Sequence, residues 1–270
     1  MTLRESMLQI LQTNTINSTA WILADQILRL GPKISNTTIS QLASMCSVSE
    51  PTVSRFVTSA GFINYTDMRD AARTEALALS SSGFHIPESK LHLLKSDPTE
   101  YLNFFLRELN RTMSDFVDNI VISQFDDLIV AINHAPRVFI FAFSSSRLMA
   151  DTIQNNLARY GKVIYAPVTE EEQLVEAKQL EPGDLAIVIS AHGYYISKST
   201  DVINLLSRTP ANTWLFTQNP GITEAYIFNS VLSVTQTNNL MTGTYIMLLA
   251  TEFLIRRYAE TIGIKPTKSL

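Results

Sequence analysis

The chain has 270 residues, of which 46% are hydrophobic, so it is long enough to bury the core of one or two globular domains. Its net charge of −4 gives no basic excess, which argues against a general polyanion binder but permits a sequence-specific DNA reader with few, well-placed cations. No stretch reaches the roughly 20 apolar residues of a membrane helix, and the single cysteine, Cys46, cannot form an internal disulfide. We therefore expect a cytoplasmic protein with no membrane partner.

The first 78 residues have the pattern of a helical domain, with two short helices predicted between residues 38 and 60. Apolar residues recur at helical spacing in two sets, Ile39, Leu42, Ala43 and Cys46, then Val53, Phe56, Val57 and Ala60. Thr38 followed by Gln41 predicts a capping box, and Ser49 is the expected cap of the second helix. Only two residues remain for the turn, so the pattern predicts a helix-turn-helix whose second helix enters the major groove of DNA.

The candidate DNA-binding residues lie at the start of both helices and on the outer face of the second: Thr38, Ser49, Glu50, Thr52, Ser54 and Arg55. Arg55 can donate two hydrogen bonds to guanine, Glu50 can accept one from cytosine, and the hydroxyls can reach phosphate or base edges. The same pattern is as typical of an ordinary helical hairpin, in which Thr52 and Arg55 are solvated surface residues.

Residues 79–98, LSSSGFHIPESKLHLLKSDP, are predicted to be an interdomain linker because Ser, Gly and Pro interrupt every helical or strand period. Residues 99–134 then predict a long amphipathic helix. Its apolar stripe recurs at near-heptad spacing and comprises Leu102, Phe105, Leu109, Phe116 and Ile120. The stripe either packs on its own domain or forms a dimer seam.

From Arg137 onward, short apolar runs alternate with helical patterns. The predicted strands are Val138–Phe143, Lys162–Ala166, Leu185–Ser190, Thr213–Thr217 and Val231–Val234, and a closing helix is predicted over Tyr245–Tyr258. Such alternation predicts an α/β domain in which helices cover both faces of a parallel sheet.

The first domain resembles the N-terminal domain of RpiR-type transcriptional regulators through T-I-x-x-L-A at Thr38, V-S-x-x-T-V-x-R-F at Val48 and G-F-x-x-Y at Gly61. The resemblance implies a helix-turn-helix domain followed by a flavodoxin-like sugar isomerase (SIS) domain with a five-stranded parallel sheet. With residues 79–98 as the linker, the predicted domains are residues 1–78 and 99–270. It also implies the partners: a double-stranded DNA operator, a phosphorylated sugar effector, and a second copy of the chain in a homodimer or higher homo-oligomer.

Two SIS motifs resemble segments of the second domain. The first, G-x-G-x-S before a helix, falls on Ala142–Ser146, where the serine is kept as Ser146 and both glycines are replaced. The second, I-S-x-S-G-x-T, falls on Ile189–Tyr195, where His192 and Tyr195 stand for serine and threonine. The resemblance therefore implies a sugar-phosphate site at Ser144, Ser145, Ser146, Ser190, His192 and Gly193.

The residue types in these motifs fit anion chemistry. Hydroxyls and backbone N–H groups at a helix N-terminus hold phosphate without a charged side chain, and open α/β sheets bind ligands at the carboxyl ends of their strands. The alternative is that the serines only cap their helices. His192 is either a phosphate-neutralising group, a proton carrier or an exposed loop residue.

The sequence contains no metal-ligand spacing among its four histidines and no dinucleotide or nucleoside-triphosphate motif, so no metal or cofactor is expected. The alternative function is an aldose-ketose sugar-phosphate isomerase with an accessory helical domain. Isomerisation needs a base near the reacting carbons, for which Glu252 and His192 are the candidates. Because no paired acid and base is evident, the sequence favours a regulator that is not an enzyme.

Overall fold

The computed structural model describes residues 3–82 and 86–262. The chain divides into two compact units, Met1–Ile86 and Pro87–Leu270. This division falls within the predicted linker, residues 79–98, of which residues 83–85 lie outside the described residues. The predicted domain limits at residues 78 and 99 stay predictions.

Helices build the described part of the first unit: α1 (Leu3–Thr13), α2 (Thr19–Leu30), a 3-10 helix (Gly31–Asn36), α3 (Ile39–Met45), α4 (Glu50–Ser59) and α5 (Tyr65–Ser82). Each contributes apolar side chains to one core, in which Leu23, Leu42 and Met68 are fully buried. Each helix has one apolar stripe, so none buries its own stripe alone. Helix α5 continues past the predicted domain end at residue 78.

The predicted helix-turn-helix is α3 and α4. The hydroxyl of Thr38 accepts from the backbone N–H of Gln41 at 3.2 Å, and Gln41 Oε1 accepts from the N–H of Thr38 at 2.8 Å. Between the helices Ser47 has φ 54°, in the left-handed region, which reverses the chain within a short turn. The capping box and the tight turn are confirmed.

The described part of the second unit begins with four helices: α6 (Glu88–Leu91), α7 (Leu93–Ser96), α8 (Pro98–Asn119) and α9 (Ile122–His134). The prediction of one long helix over residues 99–134 is wrong, because Ile120 and Val121 have ψ 129° and 94° and interrupt the helix. The predicted apolar stripe is also divided: Phe116 is buried in the core, whereas Leu102 is 59% exposed. A dimer seam on the exposed part stays a prediction.

Strands and helices then alternate as predicted. The strands are β1 (Val138–Phe141), β2 (Ile164–Tyr165), β3 (Leu185–Ile189), β4 (Asn212–Thr217) and β5 (Ser230–Ser233). The helices are α10 (Ser145–Ala158), α11 (Glu170–Lys178), α12 (Tyr194–Lys198), α13 (Thr200–Leu206), a 3-10 helix (Thr223–Ile227) and α14 (Gly243–Thr261). None of the helices in residues 3–82 and 86–262 combines the length and the apolar character that crossing a bilayer requires.

Within the described residues the five strands form one parallel sheet in the order β2-β1-β3-β4-β5. This is the flavodoxin-like order, so the predicted fold class, an all-α helix-turn-helix domain followed by an α/β flavodoxin-like domain with a five-stranded parallel sheet, is confirmed. Alternate strand residues face opposite sides: Ile140 packs with α9, α10 and α14, whereas Phe141 packs with α12 and α13. The helices that follow β1 and β3 therefore cover opposite faces, so the carboxyl ends of these two strands form the switch point at which open α/β sheets bind ligands.

Candidate functional site

The start of helix α4 has its hydroxyl groups committed to local hydrogen bonds. Ser49 Oγ accepts from the backbone N–H of Thr52 at 3.4 Å and lies 2.8 Å from the Thr52 hydroxyl. Thr38 is used in the same way at the start of α3. Thr38 and Ser49 thus cap helices and Thr52 bonds to the Ser49 cap, so only their remaining hydrogen-bonding capacity or a rearrangement would serve a base edge or phosphate.

Glu50, the first residue of α4, is tied to the preceding helix. Its carboxylate accepts a hydrogen bond from the hydroxyl of Ser40 on α3. A carboxylate at this position also interacts favourably with the positive end of the helix dipole. Glu50 therefore has a structural role that the sequence pattern did not reveal.

Ser54 and Arg55 remain as the uncommitted polar groups on this face. Both side chains are exposed, and neither has an ion pair or side-chain hydrogen bond among the described residues. Two other arginines of the unit are engaged: Arg29 pairs with Asp25 at 2.6 Å, and Arg73 pairs with Asp70 at 2.8 Å. Arg55 is therefore presented to solvent, as a base-reading arginine has to be.

In the second unit, the serine loop after β1 is strained. Ser144 has φ 55° and ψ −133°, a conformation that glycine adopts readily and other residues rarely do. This is the place of the second glycine in the SIS motif that the segment resembles. Ser144 and Ser145 are exposed at the start of α10, where the first backbone N–H groups have no partner within the helix.

The structure brings the two predicted serine loops together. Ser146 is buried, and its hydroxyl accepts from the backbone N–H of Ala191 at 3.4 Å. Ser190 is also buried, and its hydroxyl accepts from the backbone N–H of Tyr195 at 3.1 Å. Of the predicted phosphate-binding serines, Ser144 and Ser145 therefore face solvent, whereas Ser146 and Ser190 hold the loops in shape.

Gly193, between these loops and α12, fits its predicted place. It has φ 94°, in the left-handed region, and an added Cβ would lie 3.3 Å from Ile222 Cγ1. Both the backbone conformation and the close approach of Ile222 therefore favour glycine at this position.

Gln173 and Tyr195 form a buried support that the sequence analysis missed. Gln173 Nε2 donates to the carbonyl oxygens of Ala142 at 3.1 Å and Pro167 at 3.3 Å, and its Oε1 accepts from the Tyr195 hydroxyl. The Tyr195 ring contacts the Phe143 ring at a centroid distance of 4.7 Å. Burial, followed by the nearby Glu170 carboxylate, raises the pKa of Tyr195. Tyr195 is therefore an uncharged residue that supports the loop through Gln173 and Phe143, and it is not a ligand-binding group.

His192 lies in a cluster of amide side chains. Gln218 Nε2 is 2.7 Å from His192 Nδ1 and 2.5 Å from Asn238 Oδ1, while Asn219 Nδ2 donates to the His192 carbonyl oxygen at 3.1 Å. No sequence motif indicated these amides. The only available signal was that Gln218 and Asn219 directly follow β4, at the same edge of the sheet as the serine loops.

Arg147, the cation in the first turn of α10, is committed elsewhere. Arg147 on α10 donates to the carbonyl oxygens of Ala166 at 2.7 Å and Pro167 at 2.8 Å, and it pairs with Asp151 at 2.6 Å. A phosphate held here would thus be bound by hydroxyls, backbone N–H groups and the dipole of α10.

Glu252, the other candidate base of an isomerase, is exposed and pairs with Arg256 at 3.3 Å. It lies about 13 Å along α14 from the end of the helix that adjoins the amide cluster, at about 1.5 Å per residue. The structure does not bring Glu252 together with His192.

No family model matches the chain. An uncharacterized HTH-type transcriptional regulator of Haemophilus influenzae is 23% identical over 191 residues, which make up 71% of this chain and 66% of that protein. The chain thus spans about two thirds, 66%, of the length of this curated relative.

Solved structures share the fold. The Vibrio vulnificus NanR protein complexed with ManNAc-6P matches with a TM-score of 0.53 and 16% identity, over 96% of this chain and 92% of that chain. The E. coli CFT073 protein c3406, also solved as a ligand complex, matches with a TM-score of 0.53 and 13% identity, over 63% of this chain and 94% of that chain. The curated relative confirms the predicted resemblance to an HTH-type transcriptional regulator, and the solved structures confirm the predicted fold.

Proposed function

We propose that the protein is a DNA-binding transcriptional regulator of sugar or amino-sugar metabolism, and that a phosphorylated sugar bound in its second unit modulates operator binding. The observation that carries the proposal is the combination, in one chain, of a capped helix with an exposed Arg55 that has no ion pair among the described residues, and two serine loops at the β1–β3 switch point. The similarity to an HTH-type regulator supports the first half of the proposal.

The ligand of a structural neighbour supports the second half. The NanR protein, which shares the fold over nearly the whole chain, has been solved with ManNAc-6P. The β1–β3 switch point of this chain offers the exposed hydroxyls of Ser144 and Ser145 and the N-terminus of α10, which together suit a phosphate group. We take DNA operator, phosphosugar and a second copy of the chain as the partners, with the cytoplasm as the location.

Regulation would follow from linkage. An effector that binds one arrangement of a homodimer more tightly shifts the population toward it, and the spacing of the two recognition helices changes with that arrangement. Because half-sites lie about 34 Å apart in such operators, a small change in spacing alters affinity strongly.

The isomerase alternative is less well supported, because Glu252 is paired with Arg256 and remote from His192. The regulator proposal also assigns a role to the exposed Arg55, which an isomerase would not need.

Recovery of genomic DNA fragments on the immobilised full-length chain tests the proposal, with and without ManNAc-6P and other hexose and pentose phosphates. We expect a small set of fragments that share a pseudo-palindromic sequence and whose recovery changes with one phosphosugar. Recovery of random fragments, together with turnover of a phosphosugar that depends on Glu252, would contradict the regulator proposal and favour the isomerase alternative.

A further inference from the structure

The amide cluster beside the β3 loop has a hydrogen-bond pattern that fixes its donors and acceptors. Gln218 is fully buried, and its Oε1 accepts from the backbone N–H of Asn239 at 3.0 Å. A backbone N–H can only donate, so the Gln218 atom that faces Asn239 is the carbonyl oxygen and the other atom is the NH₂ group. The orientation of the Gln218 amide therefore follows from this single contact.

The orientation of Gln218 in turn determines the form of His192. The NH₂ group of Gln218 has two N–H bonds, and its nearest partners are Asn238 Oδ1 at 2.5 Å and His192 Nδ1 at 2.7 Å. His192 Nδ1 must then accept, which places the ring proton of the neutral imidazole on Nε2.

The opposite tautomer has one favourable contact and one unfavourable contact. A proton on Nδ1 could reach Asn238 Oδ1 at 3.2 Å, but it would also face the NH₂ group of Gln218 at 2.7 Å. Turning the Gln218 amide would remove that conflict only by breaking the bond to Asn239 in a buried site, which is costly. The Nε2–H form is therefore favoured.

Gln218 packs closely against the start of α14. A Cβ added at Gly243, the first residue of α14, would lie 2.6 Å from Gln218 Cδ. The backbone of Gln218 is held as well, because its N–H donates to Ala191 O at 3.3 Å and its carbonyl accepts from the Thr235 hydroxyl at 2.6 Å. The residue is thus anchored to the β3 loop and to the segment between β5 and α14.

We propose that Gln218 is a positioning residue that holds His192 in the Nε2–H form, so that His192 contributes an uncharged N–H donor to an anionic oxygen of the effector. The role toward the effector rests on the proposed function, whereas the tautomer does not. In this form Nε2 has no lone pair to take a proton from a sugar carbon, so His192 is a donor and not an isomerase base.

Nitrogen NMR of the full-length chain tests the tautomer directly. Long-range ¹H–¹⁵N spectra at about pH 8, where ordinary imidazoles are neutral, distinguish the protonated ring nitrogen from the unprotonated one. The variant His192→Gln removes one set of signals and so assigns the ring. We expect the proton on Nε2 of His192, and a proton on Nδ1 would overturn the proposal.

A variant tests the role of Gln218. Gln218→Glu keeps an acceptor for Asn239 but offers only acceptors to His192, so the ring proton is expected to move to Nδ1. An unchanged Nε2–H form in a folded Gln218→Glu protein would show that Gln218 does not set the tautomer. If this variant fails to fold, Gly243→Ala, which displaces the same amide, is expected to shift both ring nitrogen signals of His192. Unchanged signals would count against the proposal.

Calorimetry with ManNAc-6P and with a panel of pentose 5-phosphates tests the donor role. The amide NH₂ of His192→Gln can replace the N–H donor, so this variant should lose less affinity than His192→Ala, which should bind about tenfold to a hundredfold more weakly than the native chain. Equal loss in both variants would overturn the donor role. If the native chain binds none of these phosphosugars while His192 carries its proton on Nε2, the effector part of the proposed function fails and the positioning role of Gln218 stands.

Discussion

The hydroxyl of Ser146 accepts a hydrogen bond from the backbone N–H of Ala191 at 3.4 Å and so joins the loop after β1 to the loop after β3. Both residues are buried, and the bond crosses the point at which the strand order reverses. The two loops that the proposed function assigns to phosphate binding are therefore fixed to each other by the protein itself, which reduces the cost of ordering them around a ligand.

Alanine variants of Ser145 and Ser146 separate a role in phosphosugar binding from a role in fold stability. Ser146→Ala leaves the buried N–H of Ala191 without its partner, so we expect a loss of about 1–3 kcal/mol in the free energy of unfolding. Ser145→Ala removes an exposed hydroxyl, so it should leave stability unchanged and weaken phosphosugar binding by about tenfold to a hundredfold. Urea unfolding and calorimetry measure the two effects. Equal stability of both variants would mean that the Ser146 bond contributes nothing.

Ser144→Gly is expected to stabilise the second unit. A non-glycine residue with φ 55° and ψ −133° carries about 1–3 kcal/mol of backbone strain, which glycine would relieve. Glycine also loses more conformational entropy on folding, which offsets about 0.5–1 kcal/mol of that gain. Thermal unfolding should therefore show a higher melting temperature for Ser144→Gly. Ser145→Gly, inside α10, is the control and should not raise it. A lower melting temperature for Ser144→Gly would show that the Ser144 side chain stabilises the fold by more than the backbone strain destabilises it.

Tyr195→Phe tests the buried support between Tyr195 and Gln173. The variant leaves Gln173 Oε1 buried without a donor, so it should lose about 1–3 kcal/mol of stability at neutral pH. Burial raises the pKa of Tyr195, so its folded form keeps the proton when the unfolded chain loses it near pH 10. This contribution to stability is complete below about pH 10 and is lost as the pH rises toward the raised pKa of the folded form.

The stability difference between the native chain and Tyr195→Phe should therefore narrow above about pH 10. Urea unfolding at neutral and at alkaline pH measures it. Comparing the two proteins cancels the contribution of Tyr65, whose pKa burial raises to about 12. A difference that widens at alkaline pH would contradict the buried neutral state of Tyr195.

Arg55→Ala is expected to reduce operator discrimination at one base pair by about 1–3 kcal/mol, because an exposed arginine that reads guanine makes two hydrogen bonds to it. Binding to the recovered operator, to single-base variants and to random DNA gives the measurement. Arg29→Ala, which removes a cation paired with Asp25, is the control. Equal weakening of Arg55→Ala on operator and random DNA would make Arg55 a phosphate contact.

The fragment 87–270 is expected to fold and to dimerise without the first unit. Its core is separate from that of the first unit, and the fragment keeps α6 and α7, which the predicted domain start at residue 99 would remove. Circular dichroism and light scattering at micromolar concentration measure folding and mass. A folded monomer would contradict the predicted dimer and leave the exposed Leu102 without an assigned partner.

The sequence by itself determined the elements that depend on local chemistry. The capping box at Thr38, the cap at Ser49 and the five apolar runs of the sheet follow from hydrogen bonds and periodicities that span only a few residues. The serines after β1 were found for the same reason, since a strand followed by serines at a helix start is a local pattern, whereas the segment after β3 was found by its resemblance to the second SIS motif. The break between α8 and α9 was missed, because no glycine or proline marks it.

Only the tertiary structure decided which side chains are available. Ser40 reaches Glu50, Gln173 reaches Tyr195, and Gln218 reaches His192 across 26 residues of sequence. The partners in such pairs are brought together by the order of strands and helices, and an isolated Gln or Ser carries no periodicity that would predict its partner. The residue types of the candidate sites could thus be predicted from sequence, whereas their division into exposed ligand groups and buried supports depends on long-range packing.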